Sequence, residues 1–236
     1  MSQLKGQVAI VTGASRGIGR AIGESFAREG CHVVLASRNA DDLAATVADM
    51  RAKGYEALGV PADVGVESDV RRLVAEASRI TGNIDIVVNN AGMGIFKNVV
   101  DTTPAEFDTM WNTNLRGAYL VTRETLPHMI RAKRGEILFV SSLAGKNSIK
   151  GGAGYAATKW AIRGFASSLM LEVREHNIRV VTIFPGSVET SFSASGKKGS
   201  HVPQPEDVAS AALFAVTAPG RAMFSEIDIR PTRPGG

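Results

Sequence analysis

Apolar residues along the chain fall into short runs rich in β-branched side chains, and each run precedes a longer segment with helical periodicity. This alternation predicts parallel strands joined by crossover helices. Because the runs are almost continuously apolar, helices are expected to cover both faces of the sheet. The predicted fold class is α/β, a doubly wound, mostly parallel sheet of seven strands: Val8 to Val11, His32 to Ala36, Ala57 to Val60, Ile84 to Val88, Glu136 to Val140, Arg179 to Phe184 and Glu226 to Ile229.

Local residue chemistry marks the helix starts and the loops. Thr103-Pro104-Ala105-Glu106 predicts a helix start, because threonine can cap, proline fits the first turn and glutamate reaches back. Pro205-Glu206-Asp207 predicts a second start. The polar stretch from Ser191 to His201 shows neither helix nor strand periodicity. A short loop over residues 187–203 is therefore expected within a single domain that spans residues 1–236.

Composition and charge narrow the class of protein. The chain has 236 residues, of which 44% are apolar, but no apolar run reaches the roughly 18 to 20 residues of a membrane-spanning helix. No secretory signal pattern precedes the first strand, so a soluble, cytoplasmic protein is expected. The formal charge of +4 is scattered, and its densest group, Arg131-Ala132-Lys133-Arg134, falls at a predicted helix end where cations complement the helix dipole. Neither nucleic acid nor a membrane is expected as a partner.

A glycine-rich turn follows the first predicted strand. Thr12-Gly13-Ala14-Ser15-Arg16-Gly17-Ile18-Gly19 leads into a helix that is expected to run to about Gly30. Glycines at such a turn permit positive φ and let backbone amides approach a pyrophosphate, which the positive end of the helix stabilises. The spacing G-x-x-x-G-x-G departs from the common G-x-G-x-x-G fingerprint, and by itself it also fits an ordinary tight turn packed on a helix.

Five further motifs follow this turn in order. They are Asn89-Asn90-Ala91-Gly92 after the fourth strand, Thr113-Asn114-Leu115 in a long helix, Ser141-Ser142 at the end of the fifth strand, Tyr155-Ala156-Ala157-Thr158-Lys159 at a helix start and Pro185-Gly186-Ser187-Val188-Glu189-Thr190 after the sixth strand. With the glycine turn, they resemble the classical short-chain dehydrogenase/reductase family over essentially the whole chain. Within it, the chain is similar to the acyl-carrier-protein ketoreductase-like subgroup, with a shorter C-terminal region. The resemblance implies a Rossmann domain and an NAD(P)-dependent oxidoreductase that interconverts a carbonyl and a secondary alcohol.

Four residues are candidates for the chemistry. Tyr155 and Lys159 are four positions apart, which places them on one face of a helix, where an ammonium would bring the pKa of the tyrosine closer to working pH. By resemblance, Tyr155 is the general acid and base, and Lys159 also orients the cofactor's ribose. Ser142, 13 positions before Tyr155, would hydrogen-bond the substrate carbonyl oxygen, with Ser141 as the weaker candidate. The resemblance implies that Asn114 holds a water that links Lys159 to solvent.

The resemblance also implies a nicotinamide dinucleotide and no metal. An acidic residue after the second strand would bond the free 2′-hydroxyl of NAD, but the chain reads Ser37-Arg38 there. Together with Arg16, these residues predict that NADP(H) is preferred and that NAD(H) is the alternative, unless both arginines are merely solvated surface residues. The expected cofactor contacts are Gly13, Ser15, Arg16, Gly17, Ile18, Gly19, Ser37, Arg38, Asp63, Val64, Asn90, Ala91, Gly92, Tyr155, Lys159, Pro185, Gly186, Val188 and Thr190.

The expected partner is a small-molecule carbonyl or alcohol substrate in an open pocket of mixed polarity. Its recognition is assigned to Met93 to Phe96, to Leu143 to Gly154, which includes Lys146, and to the 187–203 loop with Phe192. A non-catalytic nucleotide-binding regulator of the same fold is the alternative, although it would be expected to lack one of the four catalytic residues. The resemblance implies a homo-oligomer, a tetramer or a dimer. The run Leu169-Met170-Leu171 agrees with this, because its three side chains cannot all face one side of a helix.

Overall fold

The computed structural model of the chain describes residues 2–190 and 201–233. Within these residues, all seven predicted strands are present in one sheet. The largest difference in bounds is at the fourth strand, which begins at Ile86 rather than Ile84. The strands are β1 (Val8–Thr12), β2 (His32–Ser37), β3 (Ala57–Pro61), β4 (Ile86–Asn89), β5 (Gly135–Val140), β6 (Ile178–Pro185) and β7 (Glu226–Ile229).

The strand order in the sheet is β3-β2-β1-β4-β5-β6-β7. Each neighbouring pair is parallel, so the sheet is parallel throughout the described residues. β1 pairs with β2 on one side and with β4 on the other, and the direction of winding reverses at this point. In an open α/β sheet, such a reversal leaves a crevice at the carboxyl ends of the two central strands, where ligands bind. The predicted doubly wound Rossmann fold is confirmed.

Helices begin at the two predicted starts. The Glu106 backbone amide donates to Thr103 Oγ1 at 3.2 Å, and the Glu106 carboxylate accepts from the Thr103 amide at 3.0 Å, which completes a capping box. The helix that follows the glycine turn ends at Arg28, slightly before the expected Gly30. The helices are α1 (Gly17–Arg28), α2 (Ala40–Ala52), α3 (Glu67–Thr81), α4 (Pro104–Trp111), α5 (Gly117–Ala132), α6 (Ala153–Val173) and α7 (Pro205–Val216).

The sheet lies between two hydrophobic layers. Successive side chains of a strand point to opposite faces, so β1 contributes to both layers. Ala9 and Val11 belong to the layer that contains Phe26 of α1, and residues of α2 and α7 complete it. Val8 and Ile10 belong to the opposite layer with residues of α3, α5 and α6. This burial on both faces fixes the strands, so that the segments leaving their carboxyl ends start from defined positions.

Two surface features agree with their interpretation from the sequence. The basic group at 131–134 lies at the end of α5, where Arg134 pairs with Asp85 at 3.1 Å. In the apolar run on α6, Leu169 is buried, whereas the Leu171 side chain is 62% exposed. The first feature is a helix terminus with charges that complement the helix dipole. The second leaves apolar surface on α6 open to solvent.

Candidate active site

The glycine turn forms a cradle between β1 and α1. Gly13 and Gly17 have positive φ angles of 64° and 56°, which L-residues with side chains rarely adopt. A Cβ atom added to Gly19 would lie 2.4 Å from the Gly13 carbonyl oxygen, so a side chain there would displace the turn. The Arg16 side chain does not cap the first turn of α1. Backbone amides at the first turn of a helix can bind an anion, and the cradle fits a dinucleotide pyrophosphate.

A threonine hydroxyl joins the glycine turn to the segment after β4. Thr12 Oγ1 donates to the Val88 carbonyl at 3.2 Å and accepts from the amides of Asn90 and Ala91, both at 3.0 Å. The Asn90 side chain returns hydrogen bonds to the carbonyls of Thr12 and Gly13 at 2.8 and 3.2 Å. Three predicted cofactor contacts therefore lie together. This role of Thr12 was missed from the sequence, although Thr12 is the first residue of the glycine-turn motif.

The predicted ribose end of the site lies at the carboxyl end of β2. Ser37 Oγ lies 3.0 Å from Ser15 Oγ, so these two predicted contacts meet. Arg38 Nη1 lies 4.0 Å from Asp63 Oδ2, and the Arg38 side chain remains 62% exposed. Arg16 is also exposed. The Arg38 contact with Asp63 was not predicted from the sequence, and it leaves most of the Arg38 side chain open to solvent.

Four predicted cofactor contacts, Pro185, Gly186, Val188 and Thr190, lie at the end of β6 and just after it. The Gly186 amide donates to the Ile229 carbonyl of β7 at 2.8 Å. A Cβ atom added to Gly17 would lie 3.4 Å from Thr190 Cγ2, so this segment approaches the glycine turn. Val188 is buried and, like Val64 and the partly buried Ile18, packs within the hydrophobic layers. Contacts from these three residues to a cofactor would therefore come mainly from their backbone.

The two ends of the predicted substrate loop are held together. The Glu189 amide donates to the Pro203 carbonyl at 3.0 Å, and Gln204 Nε2 donates to the Glu189 carboxylate at 3.0 Å. Residues 191–200, including Phe192, lie outside the described residues. The prediction for this part of the loop stays a prediction.

Tyr155 and Lys159 lie on one buried face of α6, as their spacing predicted. Lys159 Nζ donates to the Val140 carbonyl at 3.0 Å and lies 5.7 Å from the centre of the Tyr155 ring. Burial lowers the pKa of Lys159 to about 8. Burial raises the pKa of Tyr155, and its hydrogen bond with Ser142 only partly opposes that rise. The expectation that the ammonium lowers the tyrosine pKa is thus not met in this arrangement, because desolvation outweighs the effects that favour the phenolate.

The serine pair after β5 divides into two roles. Ser142 is half-buried, and its hydroxyl accepts from the Ala144 amide at 3.1 Å as well as bonding to Tyr155. Ser141 is buried and donates to the Lys159 carbonyl at 3.1 Å. Ser142 is therefore the serine that lies beside the tyrosine hydroxyl, whereas Ser141 anchors the strand end to α6. This agrees with the ranking of the two serines from the sequence.

Asn114 lies in a widened helical turn. Residues Asn112–Arg116 form a π-helical turn between α4 and α5, whereas the sequence placed Asn114 in a long helix. Such turns are often found at functional sites. The Asn114 side chain is buried and bonds to both backbone groups of Met93 and to the Thr158 hydroxyl. A Cβ atom added to Gly92 would lie 3.3 Å from Asn114 Oδ1 and 3.6 Å from Lys159 Nζ. The fourth predicted catalytic residue therefore borders the same space as the lysine.

The side chains around Tyr155 are mainly apolar. Met93, Ile95 and Ile149 pack against a small cluster that contains Tyr155. The Phe96 ring lies 5.1 Å from the Tyr155 ring, and more than half of the Phe96 side chain is exposed. Each of these residues belongs to a segment predicted to recognise substrate.

Lys146 differs from the expectation that it faces the substrate. Its ammonium lies 2.7 Å from the Glu226 carboxylate and 2.6 Å from Asp228, both on β7. It also lies 4.1 Å from the centre of the Phe184 ring. Its charge is therefore neutralised by β7, and the pocket is more apolar than the sequence predicted.

Within residues 2–190 and 201–233, no three histidine, cysteine or acidic side chains lie close enough together to bind a metal ion. No helix there combines the length and the apolar character needed to span a membrane.

A family model and several known proteins are similar to this chain over most of its length. A family model described as short chain dehydrogenase matches residues 7–200. The sepiapterin reductase of Chlorobaculum tepidum is 35% identical over 234 residues, which are 95% of this chain and 96% of that protein. The match thus spans every motif described above.

Solved structures with bound cofactors are also similar. The crystal structure of a metagenomic short-chain oxidoreductase in complex with NADP is 38% identical, with a TM-score of 0.88 over 98% of this chain and all of the other. The 3-ketoacyl-(acyl-carrier-protein) reductase from Brucella melitensis, complexed with NADH, is 31% identical, with a TM-score of 0.89 over 97% and 98% of the two chains. Similar proteins therefore bind both forms of the nicotinamide cofactor.

Proposed function

The chain belongs to the short-chain dehydrogenase/reductase family, and we propose that it moves a hydride between NADP(H) and a carbonyl or secondary alcohol substrate. The grouping of Tyr155, Lys159 and Ser142 beside the glycine cradle is the observation that carries this proposal. With Asn114 also in place, none of the four expected catalytic residues is missing. An oxidoreductase is therefore favoured over a non-catalytic regulator of the same fold.

Tyr155 acts as the general acid and base. In carbonyl reduction it donates its phenolic proton to the substrate oxygen, and in alcohol oxidation it takes that proton back. The nicotinamide, when bound, supplies or accepts the hydride. Ser142 donates a hydrogen bond to the same substrate oxygen, where negative charge develops. Because burial raises the pKa of Tyr155, the phenol is protonated at neutral pH and ready for reduction.

Lys159 and the glycine cradle orient the cofactor. The Lys159 ammonium bonds the nicotinamide ribose and attracts the phenolate that forms when Tyr155 loses its proton. The backbone amides at the start of α1 bind the pyrophosphate. Asn114 holds a water that returns protons to Lys159. The space beside Gly92 suits this water, because Asn114 Oδ1 and Lys159 Nζ both border it.

NADP(H) is the proposed preferred cofactor, with NAD(H) as the poorer one. Ser15 and Ser37 meet at the end of β2, and the exposed Arg38 follows Ser37 directly in the chain. Arg16 can approach the same position from the glycine turn. Two guanidinium groups and two hydroxyls suit a 2′-phosphate, because charge-assisted hydrogen bonds are the strong ones.

The proposed substrate carries an apolar substituent next to its carbonyl. Phe96, Ile95 and Met93 lie close to Tyr155, and Lys146 is held away from it by the carboxylates of β7. The acyl-carrier-protein ketoreductase-like subgroup stays a proposal, since one similar structure is a 3-ketoacyl reductase and one relative is a sepiapterin reductase. A 3-ketoacyl thioester and sepiapterin therefore belong in the first substrate panel.

A cytoplasmic homo-oligomer, a tetramer or a dimer, is proposed as the assembled form. The exposed Leu171, Tyr119 and Trp160 side chains leave apolar surface on α5 and α6. A groove of about 580 Å³, bordered by α4, the π-helical turn, α5 and α6, is lined largely by apolar and aromatic side chains, including Trp111 and Phe165. Light scattering at micromolar concentration tests this assembly, and a monomeric mass would refute it.

Replacing the proposed proton donor tests the function. With the best carbonyl found in the panel, Tyr155→Phe should lower kcat by about 100- to 10,000-fold, since general acid catalysis contributes that much. NADPH binding, followed by nicotinamide fluorescence, should change little. Tyr55→Phe is the control, because Tyr55 interacts with Arg28, away from the site. A Tyr155→Phe variant that keeps more than about a tenth of wild-type turnover would show that the assignment is wrong.

A further inference from the structure

Thr158 lies in α6 between the two residues of the proposed catalytic pair, and it is fully buried. Its hydroxyl donates to the Tyr155 carbonyl at 2.8 Å. The same oxygen accepts from Asn114 Nδ2 at 2.9 Å. A hydroxyl has a single hydrogen, so once that hydrogen is given to Tyr155 the oxygen can only accept from Asn114. Thr158 therefore requires the amide nitrogen of Asn114, and not its oxygen, to face α6.

The other bonds of Asn114 complete this constraint. Its second amide hydrogen goes to the Met93 carbonyl at 2.9 Å, and Oδ1 accepts from the Met93 amide at 2.8 Å. Both hydrogens are thus used, and only Oδ1 has bonding capacity left. That oxygen borders the space beside Gly92, which Lys159 Nζ also borders. The amide is held with its acceptor, rather than its donor, on the side of the lysine.

We propose that Thr158 is a positioning residue that ties the Asn114 side chain to α6. It thereby keeps Asn114 Oδ1 at the border of the space beside Gly92, which Lys159 Nζ also borders. The proposal rests on the proposed function for its effect on turnover. The two bonds to Met93 hold Asn114 to the segment after β4. The bond to Thr158 links the same side chain to the helix that carries Tyr155 and Lys159, so it couples two elements that are far apart in sequence.

The kinetic test uses Thr158→Val, in which a methyl group replaces the hydroxyl with little change of shape. Asn114 then loses one acceptor, and kcat with the best carbonyl substrate should fall roughly 3- to 10-fold, the effect of one buried hydrogen bond. The substrate KM should stay within about twofold, and Thr158→Ser should restore kcat. Thr125→Val is the matched control. Thr125 is equally buried and donates to the Val121 carbonyl of its own helix at 2.8 Å, away from the site.

A second readout does not depend on turnover. In the protein without added cofactor, the side-chain amide signals of Asn114 are assigned by their loss in Asn114→Asp, and their hydrogen exchange is followed by NMR. Exchange should be slow in the wild type, Thr158→Ser and Thr125→Val, and at least about tenfold faster in Thr158→Val, because the hydrogen bond that protects it is gone. If Thr158→Val does not fold, Thr158→Ala replaces it in both measurements.

The outcomes separate this proposal from the proposed function. Faster exchange in Thr158→Val supports the positioning role, even if the wild type reduces no carbonyl and the proposed function fails. An active wild type whose Thr158→Val variant keeps both kcat and slow exchange would overturn the positioning role and leave the proposed function intact. Equal losses of kcat in Thr158→Val and Thr125→Val would also overturn it, because the effect would then come from general destabilisation.

Discussion

Lys159 is expected to lower the free energy of unfolding of the protein, although the proposed activity depends on this residue. Its ammonium is buried, and the one hydrogen-bond acceptor that the described residues offer it is the Val140 carbonyl. Burial lowers its pKa from 10.5 to about 8, which corresponds to roughly 3 kcal/mol against the ionised form. Lys159→Met keeps much of the side-chain volume and removes the charge. Allowing for the lost hydrogen bond, we expect the free energy of unfolding at pH 7 to rise by roughly 1 to 3 kcal/mol.

The sign of the pH dependence follows from the two pKa values. The folded-state pKa of Lys159 lies below its unfolded value, so between about pH 8 and 10.5 the unfolded state binds more protons. This group therefore makes the wild type more stable as pH rises through that window. The stabilisation of Lys159→Met relative to the wild type should be full below about pH 8 and fade towards pH 10.5.

Urea unfolding followed by circular dichroism at pH 7, 8, 9 and 10 measures both effects. At pH 7 the melting temperature should also rise, by roughly 2 to 10 °C for a chain of this length. Lys146→Met is the matched control with the opposite sign, because it removes an ion pair to each of Glu226 and Asp228. Turnover of Lys159→Met should be lost, since the residue is kept for function and not for stability. The reasoning would be refuted if Lys159→Met were less stable than the wild type at pH 7, or if its gain in free energy of unfolding did not change with pH.

Three further predictions concern other parts of the chain. Arg38→Asp should lower the NADPH to NADH ratio of kcat/KM at least about tenfold, because it replaces a guanidinium with a charge that repels a 2′-phosphate; an unchanged ratio in steady-state assays would exclude Arg38 from that role. The pKa of Glu136 is raised to about 7, mainly by burial and despite its pairing with Arg179, so the folded state binds more protons between about pH 4.5 and 7. The contribution of Glu136 to the free energy of unfolding should therefore fall as pH rises through that window. Urea unfolding midpoints of the wild type at pH 5 and 8 should show this loss, and those of Glu136→Gln should not. Gly19→Ala should abolish NADPH binding in fluorescence titrations, since its Cβ would lie 2.4 Å from the Gly13 carbonyl oxygen; near wild-type affinity would contradict the proposed cradle.

The sequence by itself determined the elements and the order of the motifs. The strands appear where apolar β-branched runs predicted them, because a strand buried on both faces leaves a contiguous signal of four to eight residues. The start of α4 at Thr103-Pro104 was equally readable, since a capping box involves residues only three positions apart. The spacing of Tyr155 and Lys159 was enough to place both on one helix face.

Tertiary structure alone decided which partners these side chains meet and how far water is excluded from them. Lys146 meets Asp228 across 82 positions of the chain, and Asn114 meets Thr158 across 44, and no local pattern encodes either pair. The pKa shifts of Tyr155 and Lys159 followed the same rule, because the desolvation that dominates both depends on packing from several elements at once. Backbone periodicity is a local property of the chain, whereas partner choice and burial are set only when the sheet and helices assemble.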